Sequence, residues 1–129
     1  MKSRMLLVVL ASLFANVSFS QKSDTLYAHI NFTATTIDTT TIKESTTALF
    51  KYYFQNTGNI PLTIRYVNSL CDCIVPSWSK EKIMPGGWGF VTCIYNPQGH
   101  LGNFSKQVLV ISNARNGNII LNIKGYIIK

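Results

Sequence analysis

Cys71-Asp72-Cys73 is the one stretch of this 129-residue chain in which residue type and spacing together suggest chemistry. Two thiols two residues apart can oxidise as a pair, or chelate a soft ion such as Cu(I) or Zn(II) as thiolates. Full extension would hold their Cα atoms near or beyond the ~6.8 Å limit for a bridge, so a Cys71–Cys73 disulfide demands a local bend. Cys93 alternates with Val91 and Tyr95 and reads as a buried thiol acting as a small apolar side chain. Three states stay open: Cys71 joined to Cys73, either of them joined to Cys93, or reduced or metal-bound thiols. A zinc signature carries two separated ligand pairs, and here Met84 or His100 would have to complete a site begun by Cys71 and Cys73. The sequence therefore assigns no metal and no cofactor, with Cys71 and Cys73 the sole metal candidates.

Catalytic groupings find less support. His29 and His100 are the only imidazoles, the five acidic residues stand singly, and no nucleophile elbow or phosphate-cradling glycine loop occurs. A C-x-x-C oxidoreductase lowers a thiol pKa at a helix N-terminus, and no helical stripe accompanies these cysteines. No catalytic residue is expected. Trp78 and Trp88, either side of Pro85-Gly86-Gly87, form a candidate interaction surface for a sugar or a partner; the alternative is that one plugs the end of a core and the other covers it.

The elements that must position these residues begin after a leader. Lys2 and Arg4 precede an apolar run over residues 5–14 and small or polar residues up to Ser20, the pattern of a secretory signal peptide over residues 1–20. The run is too short to span a bilayer, which takes ~20 apolar residues, and no second stretch is long enough. Cleavage after Ser20 would leave one domain, residues 21–129, in the periplasm or outside the cell. Removing Lys2 and Arg4 from twelve basic residues leaves ten against five acidic ones, a net charge of +5. The bases are scattered, which favours solubility and argues against a nucleic-acid reader.

Apolar residues recur at every second position, the period of a strand. Phe50, Tyr52 and Phe54 face one way and Leu49, Lys51 and Tyr53 the other; Leu62 to Val67, Val91 to Tyr95, Val108 to Ile111 and Ile119 to Ile128 alternate likewise. A first strand around His29 to Thr36 and a short one near Ile74 to Trp78 complete about seven. The Thr-rich stretch Thr33 to Thr47 suits an edge strand and its loop. Asn56-Thr57-Gly58-Asn59, Pro85-Gly86-Gly87, Asn96-Pro97 and Asn116-Gly117 supply turns, the last as a hairpin needing positive φ. The expected fold is all-β, an immunoglobulin-like antiparallel β-sandwich.

These residues also carry a resemblance. Phe54-Gln55-Asn56-Thr57-Gly58-Asn59-Ile60-Pro61-Leu62, Cys71-Asp72-Cys73, Pro85-Gly86, Tyr95-Asn96-Pro97 and Gly102-Asn103-Phe104-Ser105-Lys106 are similar to an exported bacterial family of unknown function, an immunoglobulin-like sandwich related to ASH/MSP/Hydin domains. The resemblance spans about residues 46–127. It departs at Asp72, where the family pattern has Gly, and at Cys93, where it has an aliphatic residue. It implies export as a single domain and no enzymatic activity. The expectation is a non-catalytic interaction or structural module with a protein or cell-envelope partner, acting through a sheet edge that accepts a strand or through the loops around the cysteines. The competing expectation is a thiol-based metal or redox module at Cys71 and Cys73.

Overall fold

The structure is a computed structural model that describes residues 25–129; the leader expected over residues 1–20 and its cleavage point lie outside the described residues. Every regular element among the described residues is a strand: β1 Ile30–Phe32, β2 Thr36–Lys43, β3 Ala48–Asn56, β4 Ile64–Ser69, β5 Ile74–Trp78, β6 Trp88–Tyr95, β7 Gly102–Ser112 and β8 Ile119–Ile128. They form two four-stranded sheets, ordered β1-β3-β6-β5 and β2-β8-β7-β4. This is the expected all-β sandwich.

Eight strands replace the expected seven because the stretch from His29 to Thr36 divides. β1 pairs antiparallel with β3, whereas β2 crosses to the other sheet and runs parallel to β8. All other pairings are antiparallel. The Thr-rich segment becomes edge strand β2 and its loop, as its polar, β-branched composition predicts.

Between the sheets, one face of every long strand meets its counterpart. Phe50, Tyr52 and Phe54 from β3 and Val91, Cys93 and Tyr95 from β6 oppose Val108 and Val110 from β7 and Leu121, Ile123 and Ile127 from β8, all buried. Removing each large side chain from water contributes roughly 1.5–3 kcal/mol. Tyr95 stacks on Phe104 across the core at 5.0 Å between ring centroids.

Asparagines fix the loops. Asn56, fully buried, accepts from Gly58 N at 2.9 Å and donates to the carbonyls of Ile60 and Ile83 at 2.8 and 2.9 Å. Asn59 accepts from Tyr27 N and donates to Thr25 O, so the Asn56-Thr57-Gly58-Asn59 turn also clamps the segment leading into β1. A Cβ on Gly58 would fall 2.7 Å from Ala28 Cα, which explains the glycine by close approach. In the β7–β8 hairpin Gly117 takes the positive φ of 76° alone. Asn116 instead turns its amide back onto β1, accepting from Ile30 N at 3.2 Å and donating to Ile30 O at 2.8 Å.

Candidate functional site

Cys71 and Cys73 lie in the loop joining β4 of one sheet to β5 of the other and form a disulfide, with Cα atoms 5.2 Å apart. The bend this needs is held without glycine at position 72. The Ser69 hydroxyl lies 3.0 and 2.9 Å from the carbonyl oxygens of Cys71 and Ile74 and shares its one proton between them, and Ile74 N donates to Cys71 O at 3.3 Å. Cys93 is the free cysteine, buried in β6 between Phe50 and Pro76 of the neighbouring strands. The bridge from the pair to Cys93, one of the open alternatives, is therefore not the one formed. Burial pushes the Cys93 thiol up from 9.0 to about 11, the opposite of a reactive thiolate. Among the described residues no three His, Cys, Asp or Glu side chains gather as ligands for a metal ion. His29 Nδ1 is 2.7 Å from Thr57 Oγ1, and the His100 amide closes a turn on Pro97 O.

The two tryptophans separate. Trp78 points inward from β5 and packs against the core, edge-on to Tyr66 with centroids 5.9 Å apart, while the Lys80 ammonium lies 3.1 Å from its ring centroid. Trp88 points outward from β6 and is 58% exposed. Both border one open groove of about 690 Å³ with Met84 and Phe90. Trp78 thus plugs the sandwich and Trp88 alone presents an open ring.

Trp88 belongs to a larger surface. On the outer face of the β1-β3-β6-β5 sheet, register sets Leu49, Ile94 and Val75 side by side across three strands, Tyr53 beside Phe90, and Trp88 beside Gln55. These six apolar side chains are between 37 and 66% exposed. Lys51 occupies the row between them, its Nζ 5.2 Å from the Tyr53 centroid and 4.9 Å from that of Phe90. The outer face of the other sheet is broken by polar side chains, with Gln107 bonded to Asn122 and Ser105 beside Lys124. The face is largely apolar and is crossed by one polar row, Lys51–Thr92–Ser77, and exposed apolar surface of this extent is a candidate contact surface. Its signal in the sequence is the second apolar set, Leu49 and Tyr53 in β3 and Phe90 and Ile94 in β6, interleaved with the core set.

The sheet edges are interrupted as templates for an added strand. Ladder bonds at Cys73 and Ser79 fall on the odd-numbered residues of β5, so Ile74, Pro76 and Trp78 aim their backbone groups at the free edge. There Ile74 is already bonded to Cys71 and Ser69, and Pro76 has no N–H. On β1 the outward groups of Ile30 are taken by Asn116. β2 is bulged between Asp38 and Thr41, with Thr40 at φ 57°, and β4 is bulged at Arg65. These features interrupt the edges expected to accept a strand, at Ile74 and Pro76 on β5 and at Ile30 on β1. No helix among the described residues is long and apolar enough to cross a membrane.

Solved structures share this architecture. A protein of unknown function from Porphyromonas gingivalis W83 superposes with a TM-score of 0.69 at 17% identity, covering 78% of this chain and 47% of that one, so the chain spans about half the length of that relative. The ASH/PapD-like domain 7 of human CEP192 matches with a TM-score of 0.65 at 12% identity, over 80% of this chain and 87% of that domain. The VesB protease of Vibrio cholerae matches with a TM-score of 0.60 at 11% identity, over 78% of this chain and 32% of the protease. At such identities the likeness is one of fold. No curated protein matches by sequence. The family described as "Protein of unknown function (DUF1573)" matches residues 30–127, nearly the whole sandwich from β1 to β8, and the chain belongs to that family.

Proposed function

We propose that this chain is a non-catalytic, exported interaction module of the cell envelope, and that it binds its partner on the outer face of the β1-β3-β6-β5 sheet. The observation that carries the reading is that face itself: six apolar side chains exposed in register on either side of Lys51. The leader-like residues 1–20 support export, and the Cys71–Cys73 disulfide agrees with an oxidising compartment. The test is cross-linking in intact cells with a photoreactive residue at position 90 or 94, together with fractionation of the envelope. A discrete adduct that disappears in Leu49→Asp supports the reading; an unprocessed cytoplasmic protein, or no adduct from either position, defeats it.

The competing reading places a metal or redox function at Cys71 and Cys73. One observation favours it: the disulfide sits in a partly exposed loop. Metal binding there first requires two-electron reduction of the bridge, freeing two thiols. Stoichiometric Zn(II) or Cu(I) uptake by the reduced protein, lost in Cys71→Ser and in Cys73→Ser, would establish it.

A further inference from the structure

Charge and composition on this face identify what it contacts. None of the four strands of the β1-β3-β6-β5 sheet contains an Asp or a Glu, and their sole charged residue is Lys51. The ammonium of Lys51 is held over Tyr53 and Phe90, between the Leu49–Ile94–Val75 row and the Tyr53–Phe90 pair, with its backbone on β3, the outermost strand at that level because β1 reaches only Phe54 to Asn56. Where the face runs on into the groove beside Trp88, Lys80 and Lys82 outnumber Glu81. From this distribution, and resting on the reading of the face as a contact surface, we propose that its occupant is a different protein whose docking surface is apolar and carries a carboxylate opposite Lys51.

Three occupants compete, and each meets an obstacle on the page. A second copy docked face to face would offer Lys51 no carboxylate, since the strands of both faces contain no acidic residue. An anionic bilayer would take the apolar side chains into its hydrocarbon, and the Lys51 ammonium, held over Tyr53 and Phe90 among them, would have to follow. A sugar chain stacks on flat rings, yet the row Leu49–Ile94–Val75 is wholly aliphatic. A protein surface meets all three conditions. Its apolar core covers both the aromatic and the aliphatic rows, and a carboxylate delivered to Lys51 makes a charge-assisted bond shielded from water by the surrounding rings.

Selection of short random peptides displayed on phage against the purified chain tests the proposal, with binding of the selected peptides then measured calorimetrically. The expected winners combine Asp or Glu with aromatic or aliphatic residues. Their affinity should fall about tenfold or more in Lys51→Glu, weaken as salt is raised, and vanish in Phe90→Asp. Both substitutions are at solvent-facing positions, and an unchanged thermal melt checks that each variant is folded. Peptides lost in Phe90→Asp but indifferent to Lys51→Glu and to salt would overturn the acidic complement while leaving the contact face standing. Failure to obtain any peptide sensitive to Phe90→Asp would overturn both. A dimer seen by light scattering and dissolved by Phe90→Asp, or binding to phosphatidylglycerol vesicles or to polygalacturonate lost in Phe90→Asp, would replace the protein partner by a second copy, a membrane or an acidic glycan.

Discussion

The phenol of Tyr52 in β3 donates a 2.6 Å hydrogen bond to the backbone carbonyl of Asn122 in β8, tying the two sheets together through the core. Tyr95, on the adjacent strand β6 of the same sheet, buries its hydroxyl with no partner among the described residues. Identical side chains thus stand in opposite circumstances, because a buried polar group stabilises only when it is satisfied. Tyr52→Phe should lower stability by about 1–2 kcal/mol, whereas Tyr95→Phe should be neutral or stabilising by up to about 1 kcal/mol. Urea unfolding of both variants at neutral pH reads the contrast, and equal losses would contradict it.

A second expectation concerns alkaline pH. Burial raises the Cys93 thiol from 9.0 to about 11 and lifts the phenols of Tyr52 and Tyr95; for Tyr52 the nearby Cys93 adds to the effect. The folded state therefore holds protons that the unfolded chain has already released, so stability falls with rising pH in that window. It should be flat from neutral pH up to about 9, where an unfolded thiol begins to ionise, and decline as pH climbs toward the folded value of about 11. Cys93→Ala lowers the plateau but should make the decline shallower, as read from urea midpoints on either side of pH 9. An unchanged slope would show that Cys93 takes no part.

Most of the scaffold was legible because its cause is local. A strand buried on one face writes its period of two directly, as in Phe50-Lys51-Tyr52, and the Thr-rich run announces an edge by its composition. What escaped depends on partners far along the chain. Nothing near Thr33 says that the strand must change sheets; that follows from Asn56 and Asn122, which receive its two halves. Asn116 reads as a turn residue, yet it serves β1, 86 residues away. The exposed apolar set was half legible: Leu49 and Tyr53 were visible as a second set, but periodicity alone does not say which set lies inside. Cys71 and Cys73 could not be paired from spacing, since the bend depends on bonds from Ser69.

Thiol counting should follow the structure directly. Unreduced protein has one free cysteine, Cys93, and it is buried. Iodoacetamide should leave the native chain unmodified, label one site in denaturant, and label three after reduction. Because the bridge closes only a three-residue loop, it restricts the unfolded chain little, and reduction should lower stability by about 1.5 kcal/mol or less. A loss of several kcal/mol in a reduced-against-oxidised thermal comparison would mean that the disulfide locks the β4–β5 connection in a way loop closure does not describe.

A large effect outside the apolar core is expected at Asn56. Its side chain accepts from Gly58 N and, at 3.4 Å, from His29 N, while it donates to Ile60 O and Ile83 O, all from a position with no solvent exposure. Asn56→Ala leaves the Ile60 carbonyl and the Gly58 amide without their side-chain partner and takes one of two bonds from the Ile83 carbonyl, which keeps Leu62 N, at a cost of about 2–3 kcal/mol. Asn56→Asp is no rescue, since a carboxylate keeps the acceptors but loses both donated bonds and buries a charge. The damage should also be directional. Asn56 and Asn59 together hold the segment from Thr25 to His29 against the turn, so hydrogen exchange at Tyr27, His29 and Thr57 should quicken before exchange in β7 and β8 does. Uniform acceleration across both sheets would indicate global destabilisation alone and would refute the local clamp.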